Sequence, residues 1–459
     1  MKIYLLILSI ILFISGPLYS ELRKISLNEC IGIAVQNHPE IKASDEDVHI
    51  AQANYAFAKS KNGANINFEI KTIENQFIDE RNRVVKPKNG IASIPGHDTS
   101  IGLFVGPTFI YNLYDPQRGD AIDSARSGID LAKMKAFKAK AEIIVNVKKN
   151  YFGYLFAREN RAKREQLVEK FHSKLQKANL LYKNGQRPIL DVSKSEVDLA
   201  DARLEYEKAK NYENIVKTEL LASMGIIDEN IEFSPIKSEK LPVLRFTLTK
   251  LYQLAESNNP DIKISQMSKE INQSNISIAR SAHYPSVDLL GAVGMQNTNI
   301  LYGWKDQYND PELFKDKVKW ENWTGAINLG ISAKLNLWSG GAIDARVDSK
   351  IAEYNKSKYI EREILINIRT LIRNYFQSID EYKKQIDLSA LMMDNSQKHL
   401  KLAQKSYENG LSTQLELQDA EMTFLKSELG FIKAGYDYLI ILAKLSNAVG
   451  LGEEYLCTK

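Results

Sequence analysis

The chain carries one pattern twice, in copies that lie 221 to 225 residues apart. Residues 26–42 read SLNECIGIAVQNHPEIK, and residues 247–263 read TLTKLYQLAESNNPDIK. The order of matched positions is kept throughout, and the offset drifts by only four residues. Such a long period indicates two copies of one structural unit rather than a solenoid of short repeats. A duplicated unit suits a pseudo-symmetric object, such as a tube or a channel, better than a single asymmetric active site.

Identical residues mark the repeat along most of its length. The matched pairs are Leu27/Leu248, Ala34/Ala255, Asn37/Asn258, Pro39/Pro260, Ile41/Ile262, Lys42/Lys263, Gly106/Gly330, Asn112/Asn336, Leu113/Leu337, Tyr182/Tyr407, Asn184/Asn409, Gly185/Gly410, Leu190/Leu415 and Glu196/Glu421.

The N-terminus has the pattern of a secretory signal. Lys2 supplies the positive start, residues 3–14 are mostly apolar, and Gly16 and Ser20 suit a cleavage zone. We predict a signal peptide at residues 1–20. The alternative is an uncleaved membrane anchor, which is disfavoured because the apolar run is shorter than the ~20 residues that a spanning helix needs.

Composition excludes several classes of function. No later segment is apolar enough for a transmembrane helix, so the mature chain is either soluble outside the cytoplasm or spans a membrane by strands. A formal net charge of +4 is close to balance, which argues against a nucleic-acid binder. Cys30 and Cys457 are too few for a disulfide framework, although they could pair; the alternative is two separate thiols.

Motifs of catalysis and metal binding are not found in the sequence. The six histidines are scattered without the spacing of metal ligands, and the motifs of nucleotide binding and of nucleophilic hydrolases do not occur. We therefore expect no enzyme activity, no cofactor and no metal.

Each half, roughly 21–240 and 241–459, begins with a helix that a proline interrupts, at Pro39 in the first half and at Pro260 in the second. A second helix is predicted after each proline, to about Lys61 and about His283 respectively.

The starts of these helices have capping residues. Ser26 and Thr247 are predicted N-caps, and Glu29 lies three residues after Ser26, which is the spacing of a capping box.

Hydrophobic alternation with a period of two then predicts two strands in each half. A polar loop is expected within each pair, at 79–100 and at 299–324. The predicted strands are about 64–78, 101–114, 286–298 and 325–338. The clearest alternation places six apolar residues on one side: Ile327, Leu329, Ile331, Ala333, Leu335 and Leu337.

Long helical hairpins are predicted after each strand pair. Neither the stretch from Asp120 to Asn184 nor that from Ala342 to Asn409 contains proline, and a helix of that length would be about 100 Å long. Gly185 and Gly410 are predicted to turn the two hairpins. Apolar residues at spacings of three and four predict a coiled-coil seam at Leu167, Phe171, Leu175, Ala178, Leu181, Met422, Leu425, Leu429 and Ile432.

The predicted strands have the height of a tilted strand in a bilayer, which is about ten residues. Four strands cannot close a barrel, and an open sheet in lipid leaves unpaired backbone groups at its edges. The chain must therefore form an oligomer, or else the sheet does not lie in a membrane.

Several duplicated motifs together resemble the TolC-family outer-membrane efflux proteins over essentially the whole mature length. They are the repeated helix starts at 26–39 and 247–260, ARSAHYPSVDL at 279–289, LNLWSGG at 335–341, and YENGLSTQLELQDAE at 407–421. Each motif is weak alone, but all of them in order are specific.

The resemblance implies a mainly α fold with a β-barrel portion. Three chains would each give four strands to a 12-stranded outer-membrane barrel, and their duplicated helical hairpins would form a coiled-coil tunnel in the periplasm. The tunnel would dock on a periplasmic adaptor protein and an inner-membrane pump or ABC transporter. Such a passive duct exports drugs and other small molecules, or secretes proteins.

The resemblance also implies a gate at the periplasmic end of the tunnel. Glu416 and Asp419 match the two acidic positions of the family's constriction, and Tyr407 and Asp191 match a tyrosine and an aspartate that link the two hairpins. The alternative for the carboxylates is a solvated helical face, and Tyr407 could equally be a packing residue of the coiled coil.

The hairpin turns match the family's adaptor-docking tips, although they could also be ordinary turns: Asn184, Gly185, Asn409, Gly410 and Leu411. The sequence departs from the family at Ser412, where the family has an arginine. Lys194 occupies the first-hairpin position that corresponds to Asp419, so only one repeat carries the acidic pair.

A different class of protein is also possible. A periplasmic coiled-coil adaptor or scaffold would combine a helical hairpin with a soluble β-domain. Such an adaptor should have one hairpin flanked by β-domain halves, whereas this chain has two hairpins, each preceded by a strand pair.

Overall fold

A computed structural model describes residues 23–85, 92–227, 231–234, 241–303 and 323–458. The predicted signal peptide and most of the predicted loop 299–324 lie outside these residues. The fold is mainly helical with a few strands, most of them antiparallel.

In chain order the elements are β1 (Arg23–Ile25), α1 (Leu27–Asn37), α2 (Pro39–Ser60), β2 (Asn65–Val85), β3 (Ala92–Tyr114), α3 (Arg118–Lys183), α4 (Ile189–Ser223), β4 (Ile231–Phe233), β5 (Val243–Leu244), α5 (Leu248–Asn258), α6 (Pro260–Arg280), a 3₁₀ turn (Ser281–His283), β6 (Ser286–Gly303), β7 (Thr324–Lys334), α7 (Ala342–Glu408), α8 (Gln414–Val449), α9 (Glu453–Leu456) and β8 (Cys457–Thr458).

The chain divides into two compact units, and α2, α3, α6 and α7 each contribute residues to both. The first unit comprises Met1–His49, Asp130–Ser268 and Lys358–Lys459, and the second comprises Ile50–Ile129 and Lys269–Ser357. Among the described helices, none is both long and apolar enough to cross a membrane.

The proline breaks and the first cap are as predicted. Pro39 and Pro260 are the first residues of α2 and α6, where the missing N–H of proline costs no helical hydrogen bond. Ser26 and Glu29 form the predicted capping box, since the Ser26 N–H donates to Glu29 Oε2 at 2.7 Å. Thr247 occupies the N-cap position of α5, but its side chain makes no capping hydrogen bond.

Both hairpins turn at the predicted glycines. Gly185 has φ of +73° and Gly410 has φ of +74°, a left-handed conformation that glycine adopts without penalty. In each turn the N–H of the next residue closes a six-residue loop: Gln186 donates to the Leu181 carbonyl at 2.9 Å, and Leu411 donates to the Ser406 carbonyl at 2.8 Å. This is the Schellman termination of a helix.

The predicted coiled-coil seam is largely present in the first unit. A buried cluster joins α3, α4 and α8 through Leu167, Phe171, Leu199, Ala202 and Leu425, and Leu175 and Leu429 pack against it. The prediction was wrong for Met422, which is 39% exposed. Its neighbour Glu421 faces α3 instead, because its carboxylate pairs there with Lys174.

The two cysteines are separate and buried. Cys30 lies in a core cluster with α1, α3 and α4, and Cys457 lies in a different cluster with α5, α7 and α8. Burial, with a smaller effect of the neighbouring Glu29 carboxylate, raises the pKa of the Cys30 thiol to about 12. Burial likewise raises the pKa of Cys457 to about 11. Of the two possibilities left open by the sequence, the unpaired one is found.

The second unit contains one antiparallel sheet in the order β2-β3-β6-β7. The predicted polar loop at 79–100 was wrong, because β2 and β3 continue as a paired ladder to Val85 and from Ala92. Strands pair through backbone hydrogen bonds, which do not require apolar side chains. The polar stretch therefore forms strands although its sequence has no hydrophobic alternation that would predict them. The last strand ends at Lys334, opposite Ser286, so Leu335 and Leu337 lie outside it. The paired strand β6 begins at Ser286, and the residue before it is Pro285, which has no backbone N–H to donate to a longer ladder.

The register gives this sheet one apolar face. Directly opposed residues of antiparallel strands lie on the same face, so the pairings assign the faces without ambiguity. The apolar face consists of Ile66, Phe68, Ile70, Val105, Pro107, Phe109, Tyr111, Leu289, Gly291, Val293, Met295, Ile327, Leu329, Ile331 and Ala333. The opposite face carries mostly polar and small residues, among them Asn67, Glu69, Thr108, Asp288, Gln296, Asn328 and Ser332.

Candidate functional site

The predicted gate residues lie near the turns of the two hairpins, in the first unit. A cavity of about 200 Å³ lies between the hairpins, and both Asp191 and Tyr407 line it. Further lining residues are Lys174, Lys177, Arg187, Ser195, Gln404 and Gln414. The two residues of the predicted link therefore share one cavity between α4 and α7.

Asp191 and Tyr407 each have a local partner. Asp191 lies in the first turn of α4, where a helix favours negative charge, and its Oδ2 accepts from Arg187 Nη1 at 3.4 Å. Tyr407 packs against a buried cluster of α7 and α8 that contains Leu400 and Leu417. Among the described residues, no hydrogen bond joins the Tyr407 hydroxyl to the Asp191 carboxylate.

The two acidic residues of the predicted constriction are exposed on α8. Glu416 completes a second capping box, because its Oε2 accepts from the Thr413 N–H at 3.1 Å. Asp419 lies three residues later, on the same side of the helix. Ser412, at the position where the family has arginine, has a buried hydroxyl without a hydrogen-bond partner among the described residues.

The predicted docking tips are all exposed: Asn184, Gly185, Asn409, Gly410 and Leu411. Exposed apolar side chains occur at these turns and shortly after them in the sequence: Leu190 is 71% exposed, Leu411 80% and Leu415 60%. In the sequence, Leu190 and Leu415 stand out only as a repeated pair, and this repetition was the available signal.

Sequence reasoning missed four polar links that join α8 to the first hairpin. Two are ion pairs with α3: Lys174 Nζ to Glu421 Oε2 at 2.5 Å, and Lys163 Nζ to Glu428 Oε1 at 2.7 Å. Two are hydrogen bonds with α4: Gln414 Nε2 to Ser195 Oγ at 3.3 Å, and Gln418 Nε2 to Asp198 Oδ1 at 3.1 Å. The sequence did contain a signal for these links, because polar residues 414, 418, 421 and 428 have the spacing of residues in a coiled-coil seam.

Lys174 and Glu421 form the most enclosed of these links. The Glu421 side chain is 6% exposed and the Lys174 side chain 22%. The Lys174 ammonium also lies 5.0 Å from the centre of the Phe171 ring, which favours a cation. Within the described residues, no group of three or more His, Cys, Asp or Glu side chains could hold a metal ion.

Comparisons with known proteins show which proteins this chain is similar to. Residues 251–451 match the sequence model of the outer membrane efflux protein family. The chain is 22% identical to the outer membrane protein TolC of Vibrio cholerae over 372 residues, which are 77% of each protein. The chain is thus similar to the TolC family of outer membrane efflux proteins, and the family model covers a little under half of its length.

Other relatives of this family are more distant or match over a shorter length. The match to Escherichia coli TolC has 25% identity over 213 residues and spans only 40% of that protein. The fold is that of the Campylobacter jejuni CmeC outer membrane channel, with a TM-score of 0.73, 17% identity, and coverage of 92% of this chain and 85% of that one. By this similarity the protein is located in the outer membrane, and its relatives are outer membrane efflux proteins with a periplasmic helical tunnel.

Proposed function

We propose that this protein is the passive exit duct of an export complex. It releases small molecules such as drugs and toxic compounds, or proteins, and inner-membrane partners supply the energy. The observation that carries the proposal is the sheet of the second unit, which has one continuous apolar face and two edge strands. On this face Phe68 is 69% exposed, Leu329 73% and Ile327 82%, and only lipid or another protein would make such a surface tolerable.

The edges of the sheet suggest how a barrel forms. β2 and β7 have no further partner strand among the described residues, and an unpaired edge in lipid costs several kcal/mol for each open backbone group. In a homotrimer, β7 of one copy pairs with β2 of the next. Three sheets of four strands then close a 12-stranded barrel with the apolar face towards lipid and the polar face towards the lumen.

The gate follows from the same symmetry. Glu416 and Asp419 are exposed on α8 and free to face an axis. Three copies bring six carboxylates around one narrow mouth, and such a ring attracts cations. Asp191 and Tyr407 line the cavity between the two hairpins, where their polar groups are placed to form the link that keeps the gate closed.

The exposed hairpin tips suit a protein partner. Leu190, Leu411 and Leu415 are exposed apolar residues at or shortly after the turns of Gly185 and Gly410, and such residues at a helical end fit the hairpin of a periplasmic adaptor. The adaptor in turn connects the duct to an inner-membrane pump or ABC transporter.

Neighbouring residues on opposite faces of β7 test the barrel. Leu329 lies on the apolar face and Asn328 on the polar face. A lipid-facing arginine costs about 2–4 kcal/mol near the bilayer midplane, so Leu329→Arg should greatly reduce pore formation in planar bilayers. The matched control Asn328→Arg should still form pores, with altered ion selectivity.

The same experiment distinguishes the periplasmic scaffold from the duct. A scaffold with a soluble β-domain forms no pores as wild type, and both arginine variants would then behave alike in a soluble fraction. That result would refute the duct.

A further inference from the structure

Phe104 of β3 is an aromatic residue on the polar face of the sheet. It lies directly opposite Lys71 of β2 and Gln296 of β6, so the three side chains project from the same face. Phe104 is 9% exposed, whereas Phe68 on the apolar face is 69% exposed. The polar face therefore holds this aromatic ring close to the sheet.

The ring of Phe104 occupies the place that a side chain at Gly294 would take. A Cβ built on Gly294 would be 3.1 Å from Phe104 Cε2. Gly294 precedes Gln296 by two residues on β6, and diagonal neighbours of this kind are within reach of an aromatic side chain. The ring therefore leans along β6 and lies over the backbone of Gly294.

Ala326 of β7 indicates how far the covering extends across the sheet. It lies directly opposite Gly294 and is 6% exposed. Thr324 and Asn328, which flank it on the same face, are exposed. Gly294 has no side chain that could cover the Ala326 methyl group, whereas the Phe104 ring lies over Gly294 and adjoins it. Two small residues thus form a shallow bed on which the ring lies flat.

The position of this ring matters if three sheets close into the proposed barrel, because the polar face then lines the lumen. Three copies place three Phe104 rings at one height of the lumen. A ring that stood away from the wall would narrow the bore and expose its apolar surface to water. A ring that lies flat leaves the bore open and keeps that surface covered.

We propose that Phe104 determines the bore of the barrel, and that Gly294 and Ala326 keep the bore wide by letting the ring lie flat. The proposal rests on the proposed duct and names the residue that limits the size of solute in its barrel part. Gly294 is unsuitable for a test, since a Cβ there would also be 2.4 Å from the Val105 carbonyl oxygen and would disturb the strand pairing. Ala326 is the position to change.

Thiol labelling tests whether the ring covers Ala326. In liposomes, a maleimide should label Ala326→Cys at least tenfold more slowly than Asn328→Cys, which has the same face and strand. Adding Phe104→Ala should bring the two rates together. The native thiols of Cys30 and Cys457 are buried and should not contribute.

A second aromatic residue of β3 gives the matched control for this labelling. Phe109 lies on the apolar face over Gly291, where a Cβ would be 1.8 Å from Phe109 Cε1. Phe109→Ala should leave the labelling rate of Ala326→Cys unchanged. An equal rise with Phe104→Ala and with Phe109→Ala would mean that any lost aromatic residue loosens the sheet, and would overturn the proposal.

Polymer exclusion measures the bore itself. Polyethylene glycols of increasing size are added on the extracellular side of a planar bilayer, and the largest that still lowers single-channel conductance gives the cut-off. Ala326→Leu fills the bed beneath the ring and should lower the cut-off, and adding Phe104→Ala should restore it. Asn328→Leu should leave it unchanged, because leucine and asparagine are of similar size and Asn328 does not lie under the ring.

The outcomes separate the proposal from the duct. Wild-type pores with equal labelling of Ala326→Cys and Asn328→Cys, or with an unchanged cut-off in Ala326→Leu, would overturn the role of Phe104 and leave the duct intact. If Ala326→Leu forms no pores, the labelling rates alone decide. A wild type that forms no pores would instead refute the proposed duct.

Discussion

Gly450 lies directly against the backbone of Asn258. A Cβ built on Gly450 would be 2.5 Å from the Asn258 carbonyl oxygen, and φ at this residue is +78°. The repeat has the same contact, because a Cβ on Gly225, with φ of +70°, would be 2.7 Å from the Cα of His38. In both halves the end of the return helix packs on the short break between the two helices that open the half.

Gly450→Ala should therefore destabilise the first unit. The left-handed conformation alone costs a non-glycine residue about 1–2 kcal/mol, and the backbone of Asn258 would have to move as well. Denaturant unfolding followed by helical circular dichroism measures the loss. Gly430 is the control on the same helix, since a Cβ there meets nothing within 4 Å. Gly430→Ala should leave stability unchanged or raise it by up to ~1 kcal/mol, and equal losses in both variants would contradict the packing argument.

Elements with a local chemical signal were predictable from the sequence. Pro39 and Pro260 marked the helix breaks, and Gly185 and Gly410 marked the hairpin turns, because proline and glycine restrict or permit backbone angles irrespective of the rest of the fold. The ends of the strands were not predictable. Hydrophobic alternation shows which residues form an apolar face, but it does not show how far the backbone hydrogen bonds between two strands continue.

The links between hairpins depend on tertiary contacts, which local patterns do not contain. Glu421 and Met422 are adjacent, and the sequence favoured the methionine for the seam. The structure places the glutamate there because Lys174, 247 residues away, supplies its counter-charge. The individual gate residues could be named only through the resemblance to a family.

Lys174→Met should weaken the packing of α8 on the first hairpin. Removing one partner of a buried ion pair costs about 3–5 kcal/mol, and the partial exposure of Lys174 lowers the expected loss to roughly 2–3 kcal/mol. Chemical unfolding provides the measurement. Lys384→Met is the control, because Lys384 pairs with Asp380 on the same helix with both side chains more than half exposed. A loss no larger than that of the control would show that the Lys174 link contributes little.

Both thiols should be inert in the folded protein. Burial keeps Cys30, with a pKa of about 12, and Cys457, with a pKa of about 11, protonated at pH 9, where an ordinary thiol is largely ionised. The reactive thiolate fraction therefore stays small until the pH approaches these values. Labelling with a maleimide should find no thiol at pH 9 in the native protein and two after denaturation without reductant. A denatured protein without free thiols would indicate a disulfide instead.

Loosening the link between the hairpins should open the duct. Tyr407→Phe and Asp191→Ala each remove one polar group from the cavity between α4 and α7 and should raise single-channel conductance in planar bilayers. Tyr182→Phe is the matched control, since Tyr182 is the repeat counterpart of Tyr407 and its side chain is 44% exposed. If conductance is unchanged in both test variants, these residues do not hold the gate.

Whether the sheet forms a shared barrel in the outer membrane can be measured by membrane fractionation followed by gel migration of the unboiled protein. We expect a protein in the outer membrane fraction that migrates as a trimer unboiled and as a monomer after boiling. A soluble periplasmic monomer would contradict it, because the apolar face of the sheet would then have neither lipid nor neighbouring copies to cover it.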